Sequence, residues 1–318
     1  MTQRVKRIRT IGICGVGQMG AAAAVAFKRA GYQVLVWNHR PERLAELPPK
    51  IAGLEDWLAQ HGRSALSDSG NIELCYELSA IDDAADAVLD CIVEDVAEKV
   101  GLFKRLPLCS ARSAVFMTTT SGLSITDIGR GSGCGHLLAG THFWNPPHLM
   151  PLVEVIRGAE TPDSVMDTVC TLVKSIGKIP VRVEKDVPGF IGNRMLHALW
   201  REAISLVERG IATPADVDLV ARLTFGLRLP AVGPLENMDL VGLDLIKTIH
   251  EYLLVDLADN HEPSPCLAER VNQGQLGMKS GQGFYDWQQR NPEALRERRD
   301  IQILHQLDFL NELDQPAV

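Results

Sequence analysis

With 318 residues, 46% of them apolar, the chain has the length and the apolar material for two packed domains. Its 40 acidic side chains against 32 lysines and arginines give a net charge of -8, which leaves no basic footprint for nucleic acid or an anionic membrane and points to a small-molecule partner. The polar, basic start from Met1 to Thr10 and the glycine-broken apolar stretch after it suit neither a signal peptide nor a membrane span, so a cytoplasmic protein is expected. Seven scattered cysteines, with no CxxC pair or Cys/His cluster, suggest neither a disulfide framework nor a zinc site, and no metal is expected.

In chain order, Ile11 to Cys14 reads as a short buried strand. A glycine-rich turn follows, then a helix-forming stretch from Ala21 to Arg29 closed by Gly31, then a second strand at Val34 to Trp37, making one βαβ unit. Further strands are expected at Val88 to Val93, Ala114 to Thr118, Leu137 to Phe143 and Leu152 to Ile156, with helical or charged segments such as Asp95 to Leu106 between several of them. Val181 to Val183 reads as a last strand before the turn-rich Lys185-Asp186-Val187-Pro188-Gly189. The pattern predicts an α/β Rossmann domain, doubly wound on a mostly parallel sheet, over residues 1–185. Beyond it Met195, Leu196, Leu199, Ala203, Leu206 and Val207 recur at helical spacing, and Thr213-Pro214-Ala215-Asp216 has the signature of a helix start. An all-α domain is therefore expected over residues 186–318.

Three features carry chemistry. Gly15-Val16-Gly17-Gln18-Met19-Gly20 is a GxGxxG run between strand and helix: its glycines allow a tight turn, close approach to a pyrophosphate and helix–strand packing, and the helix start at Gln18 and Met19 favours phosphate charge. The second strand ends in Trp37-Asn38-His39-Arg40, without the acid that binds the ribose of NAD. Arg40 would suit a 2′-phosphate and Asn38 would not repel one, so NAD and NADP stand about even. Finally, His142 lies near a strand end, and Glu154 interrupts the apolar run Leu152 to Ile156. A buried carboxylate needs a partner, and a dyad with Glu154 would fix the tautomer of His142 as a base for a hydroxyl proton. On pattern alone a structural histidine and a glutamate on a solvated face are the alternatives.

Further stretches run in order along the chain: Ile92-Val93-Glu94-Asp95, Leu102-Phe103-Lys104-Arg105-Leu106, Thr120-Ser121-Gly122-Leu123-Ser124, His142-Phe143-Trp144-Asn145-Pro146, Leu152-Val153-Glu154-Val155-Ile156, Val187-Pro188-Gly189-Phe190-Ile191-Gly192-Asn193-Arg194 and Gly281-Gln282-Gly283-Phe284-Tyr285. By these the chain resembles the 3-hydroxyacyl-CoA dehydrogenase family. The resemblance implies His142 as catalytic base, Glu154 as the carboxylate orienting it, and Ser121 and Asn193 as hydrogen-bonding partners of the reacting oxygen. It places Glu94 and Lys99 near the nicotinamide ribose, and implies a homodimer formed through the helical domain with the active site in the cleft between domains.

Departures bear on substrate. Lys50 is the single lysine between Pro41 and Glu98, a stretch that includes Glu73, Glu77, Asp82, Asp83 and Asp86, where the phosphates of a CoA tail would find little cationic help. Thr119 stands where the family usually has asparagine. The doubled proline Pro146-Pro147 is similar to the small-substrate branches, which include L-gulonate 3-dehydrogenase with its lens-crystallin relatives, and the formyl-hydroxy-methylpyridine-carboxylate dehydrogenase of vitamin B6 breakdown. The resemblance thus implies reversible hydride transfer between NAD(P) and a 3-hydroxy acid or 3-hydroxyacyl-CoA, a small free acid being favoured over the thioester. A cation such as Arg194 or Arg201 would then bind the carboxylate, unless both are ordinary solvated arginines. The alternatives are a dehydrogenase of a small aromatic, pyridine-carboxylate-like aldehyde, and a non-catalytic crystallin-like dinucleotide-binding protein. Retention of His142, Glu154, Ser121 and Asn193 together argues against the last.

Overall fold

The structure, a computed structural model, describes residues 8–63, 65–67 and 69–312. The chain divides into two compact units, the break falling between Arg194 and Met195.

The first unit is built on strands β1 (Thr10–Cys14), β2 (Gln33–Trp37), β3 (Asn71–Cys75), β4 (Ala87–Asp90), β5 (Val115–Thr118), β6 (Leu138–Phe143), β7 (Leu152–Ile156) and β8 (Ile179–Val183). Its helices are α1 (Gln18–Arg29), α2 (Leu47–Gln60), α3 (Ser79–Ala84), α4 (Val96–Lys104), α5 (Pro107–Ala111), α6 (Ile125–Ser132) and α7 (Asp163–Ser175). The strands form one sheet in the order β3-β2-β1-β4-β5-β6-β7-β8, parallel except where β6 meets β7. Strand order reverses between β1 and β4, the switch point at which doubly wound sheets take ligands beyond the strand C-termini.

Alternate residues feed two cores. Ile11, Ile13, Val34, Val36 and Leu89 pack with Phe27 of α1 on one face, while Cys14, Leu35, Val88 and Phe116 pack with Phe103 of α4 on the other. Both faces being covered explains why these strands read as unbroken apolar runs. β3, absent from the sequence expectation, is an edge strand paired only with β2, and its half-exposed Asn-Ile-Glu-Leu-Cys lacks such a run. β4 stops at Asp90 rather than Val93, and beyond it the chain turns with the backbone N–H of Ile92 donating to the Asp90 carboxylate at 2.9 Å.

Residues 186–194, grouped from sequence with the helical domain, fold with the first unit. Asp186 accepts hydrogen bonds from Ser124 Oγ and Thr126 N, both at 2.8 Å, and Phe190 is buried in the second core.

The second unit is helical, with α8 (Gly192–Glu208, entering from the first unit), α9 (Pro214–Leu223), α10 (Phe225–Arg228), α11 (Pro234–Val241), α12 (Leu243–Leu253), α13 (Pro265–Asn272) and α14 (Pro292–Glu312). Thr213 caps α9 by accepting from Asp216 N, with Pro214 in the first turn, as the sequence predicts. No side chain on α8 to α13 is fully buried, and Leu219, Leu235, Leu240 and Tyr252 stand exposed. Among the described residues no helix is long and apolar enough to cross a membrane, and no cluster of three or more His, Cys, Asp or Glu side chains is disposed to hold a metal ion.

Candidate active site

The glycine-rich turn joins β1 to α1 at the switch point. Gly15 has φ +122°, and a Cβ there would lie 2.3 Å from the Cys91 carbonyl oxygen; a Cβ on Gly20 would lie 2.1 Å from the oxygen of Gly15. These two glycines let backbone pack on backbone. A Cβ on Gly17, in contrast, would meet no atom within 4 Å, so the middle glycine faces open space. That space adjoins the N-terminus of α1, which has no side-chain cap and no acid in its first turn. Unpaired N–H groups and the helix dipole there suit a pyrophosphate, so the residues present fit a dinucleotide. Gln18 donates from Nε2 to Asn145 Oδ1 at 2.9 Å, tying this turn to the one after β6, and Met19 packs on the first core.

At the end of β2, Asn38 is buried and its Oδ1 accepts the backbone N–H of Arg40 at 2.9 Å; Arg40 itself is exposed. Beside the glycine turn, Lys50 of α2 donates to Val16 O at 3.3 Å and to Glu46 at 2.9 Å. Hydrogen bonds from Lys50 and Arg43 hold the Glu46 carboxyl down to about 2.

Antiparallel pairing of β6 and β7 sets His142 opposite Glu154, and Nδ1 of His142 lies 2.6 Å from Glu154 Oε2 with both side chains buried. Burial pushes the Glu154 carboxyl up, but hydrogen bonds from His142, Gly192 N and Ile191 N together outweigh it and bring it below its ordinary range. An ionised Glu154 accepts only, so Nδ1 carries the proton and Nε2 is left as an acceptor. The other carboxylate oxygen accepts Ile191 N at 2.9 Å and Gly192 N at 3.1 Å. Both N–H groups converge because Gly189 and Phe190 take positive φ, +76° and +51°. The imidazole lies 4.9 Å from the ring of Trp144 and 5.7 Å from that of Phe190. Trp144 comes so near Gly192 that a Cβ there would fall 2.1 Å from its Cζ2.

Ser121, exposed, and Asn193 meet through Asn193 Nδ2, which donates to Ser121 O at 2.9 Å. Glu94 Oε1 accepts Ser121 N at 2.8 Å and Thr120 Oγ1 at 2.6 Å. Lys99 has no exposed surface; its Nζ lies 2.7 Å from Asp90 Oδ2 and 3.9 Å from Glu94 Oε2. Asp90 also accepts Thr118 Oγ1 at 2.6 Å. The sequence reading passed over Asp90 and Thr120. An acid inside the apolar run Ala87 to Val93 was the same signal that singled out Glu154, and it was available.

A dinucleotide cradle beside a carboxylate-oriented histidine defines a nicotinamide-dependent dehydrogenase. Residues 10–187 match the NAD binding domain of 3-hydroxyacyl-CoA dehydrogenase, and residues 189–287 its C-terminal domain. The chain belongs to the 3-hydroxyacyl-CoA dehydrogenase family and is an oxidoreductase acting on a CH–OH group. It is 31% identical over 293 residues to 5-formyl-3-hydroxy-2-methylpyridine 4-carboxylate 5-dehydrogenase of Mesorhizobium japonicum, covering 92% of this chain and 95% of that one. It is 36% identical over 283 residues to a probable 3-hydroxybutyryl-CoA dehydrogenase of Deinococcus radiodurans, covering 87% and 99%. A crystal structure of a 5-formyl-3-hydroxy-2-methylpyridine 4-carboxylic acid 5-dehydrogenase, described as an NAD+ dependent dismutase, superposes with a TM-score of 0.89 at 30% identity, over 96% of this chain and 99% of that one.

Proposed function

We propose that this dehydrogenase interconverts the secondary alcohol and ketone of a small free hydroxy acid, with NAD. The observation that carries the reading is the His142 Nδ1–Glu154 hydrogen bond of 2.6 Å, which leaves Nε2 as a base of fixed tautomer. When bound, nicotinamide would supply the acceptor for a hydride from the carbinol carbon. His142 Nε2 takes the hydroxyl proton, and Glu154 stabilises the imidazolium that forms. The Ser121 hydroxyl and the second N–H of Asn193 Nδ2 hold the substrate oxygen. Glu94 and Lys99 serve the nicotinamide ribose side of the cofactor site, and Gly15, Gly17, Gln18, Met19 and Gly20 its pyrophosphate side.

NAD is favoured over NADP on two observations. Residues 10–187 match an NAD binding domain, and the solved pyridine-carboxylate dehydrogenase similar to this chain is described as NAD+ dependent. A free acid is favoured over a thioester because the stretch from Pro41 to Glu98 is acidic with one lysine, and because the similar proteins named above include 5-formyl-3-hydroxy-2-methylpyridine 4-carboxylate 5-dehydrogenase, named for a pyridine carboxylate. Those relatives also support a second reading, oxidation of an aromatic aldehyde through its hydrate, with the same base acting on the hydrate hydroxyl. The apolar side chains left exposed on α8 to α13 support a homodimer through the helical unit, and seven free thiols accord with a cytoplasmic location.

The test is a thermal-shift panel of NADH, NADPH, acetoacetyl-CoA and free hydroxy acids, followed by turnover of whatever stabilises the protein. Stabilisation by the CoA ester and not by any free acid would overturn the substrate assignment.

A further inference from the structure

We infer that Trp144 is a specificity-determining residue: its indole is the wall of the substrate site beside the base, and it admits a short acid while shutting out an extended acyl chain. This rests on the reading of His142, Ser121 and Asn193 as the groups that hold the substrate oxygen. Trp144 follows β6 two residues after His142, so strand alternation puts both on one side of the sheet, and their ring centroids lie 4.9 Å apart with the planes inclined at 57°. Phe190 stands 5.7 Å from the same imidazole but is 1% exposed and belongs to the core, whereas Trp144 is half-buried and keeps part of its surface accessible.

Gly192 is the mark of a built seat for this ring. It is the first residue of α8 and does not take positive φ, so its backbone has no need of glycine, a residue that weakens a helix. What it needs is space: the three atoms that a Cβ there would meet first are all in the indole, Cζ2, Cη2 and Cε2, the farthest at 3.1 Å. The indole therefore lies on the backbone of the turn whose N–H groups hold Glu154, and whose next residue, Asn193, reaches Ser121 O at 2.9 Å. A rigid ring set against backbone along one edge and flanked by the imidazole is held from moving aside for a substrate. A carbinol carbon held by its oxygen between His142 Nε2, Ser121 and Asn193 carries its substituents past this ring. A short or flat substituent packs on it, and each further methylene of a chain must find room that the indole already fills.

The experiment compares kcat/KM for 3-hydroxybutyrate, 3-hydroxyhexanoate and 3-hydroxyoctanoate, and for their CoA esters, in the parent, W144F and W144A, with NADH affinity from fluorescence titration as the control for the cofactor site. The parent is expected to lose about 10-fold or more in kcat/KM from the shortest chain to the longest. W144A should flatten or invert that order through a gain on the longest chain, with W144F between the two and NADH affinity kept; should W144A fail to fold, W144F carries the comparison. An order unchanged by the substitution, or a parent that prefers the longest chain, would overturn the inference. So would an equal loss at every length, which would mean that the indole only supports His142. A stability cycle checks the seat without substrate: G192A should melt below the parent, while W144A/G192A should melt no lower than W144A, and equal melting of G192A and the parent would also overturn it. Failure of the free-acid reading is separable, since turnover of the CoA esters alone would sink that assignment while the chain-length comparison is made on the esters. A parent that turns over neither series would overturn both.

Discussion

His142 and Glu154 face each other because β6 and β7 are the one antiparallel pair in the sheet, and cross-strand register turns a separation of twelve residues into a contact. The carboxylate has three donors, His142 Nδ1 and two backbone N–H groups, so replacing it by an amide leaves at least one donor opposed by an NH2 group. Glu154→Gln is expected to lower kcat about 10²- to 10⁴-fold, as His142→Ala is, with NADH affinity nearly unchanged in both. Loss of NADH binding in proportion to kcat would show that the residues serve the cofactor instead. The same depressed carboxyl bears on stability. The folded protein binds this proton less readily than the unfolded chain, whose value is near 4.5, so the contribution of Glu154 is full above that pH and disappears as pH falls through the lower folded value. Acid unfolding monitored by circular dichroism should therefore show a shallower decline below pH 4.5 in Glu154→Gln than in the parent.

The elements nearest the site are turns held by specific groups. At the glycine turn the three positions predict different outcomes for alanine. Gly15→Ala meets positive φ and the Cys91 carbonyl, and Gly20→Ala meets the Gly15 carbonyl, so both should destabilise the fold. Gly17→Ala meets nothing within 4 Å and should melt like the parent, yet lose NADH affinity by about 1–3 kcal/mol, because the methyl fills space meant for the pyrophosphate. Equal melting with equal affinity would remove the phosphate from that spot. The turn after β6 is secured by Lys178, which donates to Pro147 O at 2.8 Å and Met150 O at 2.7 Å. Burial, with no carboxylate to offset it, brings its ammonium down to about 8. Between that value and the unfolded 10.5 the unfolded chain binds more protons at this site, so the contribution of Lys178 rises with pH across this window, and the parent should gain stability with pH relative to Lys178→Met. Chemical denaturation at pH 8 and pH 10 measures it.

The larger arrangement was legible where the sequence has one physical reason for its pattern. Buried strands gave apolar runs, the glycine turn gave its own signature, and the ordered family stretches fixed the dyad. β3 was not legible because an edge strand, covered on one side only, need not be apolar throughout. Nor was the burial of Lys99, since a lysine on α4 reads as solvated unless Asp90, nine residues earlier, is seen to lie beneath it. The helical unit was legible by period, but its partner surface was not, because the same heptad-like spacing serves an internal core and an interface alike. Leu235 and Leu240 on α11 are 74% and 76% exposed and Val255 is 85% exposed, within a unit whose helices α8 to α13 bury no side chain fully. Water is a poor neighbour for that much apolar surface, and in the proposed homodimer a second copy of the same unit would supply the matching one by two-fold symmetry. Sedimentation velocity is expected to give a dimer, with a melting temperature that rises with protein concentration, as it must when unfolding is coupled to dissociation. Leu235→Asp combined with Leu240→Asp should shift the protein toward monomer and abolish that concentration dependence. A parent protein that sediments as a monomer at micromolar concentration, with a melting temperature independent of concentration, would mean that these side chains meet some other partner.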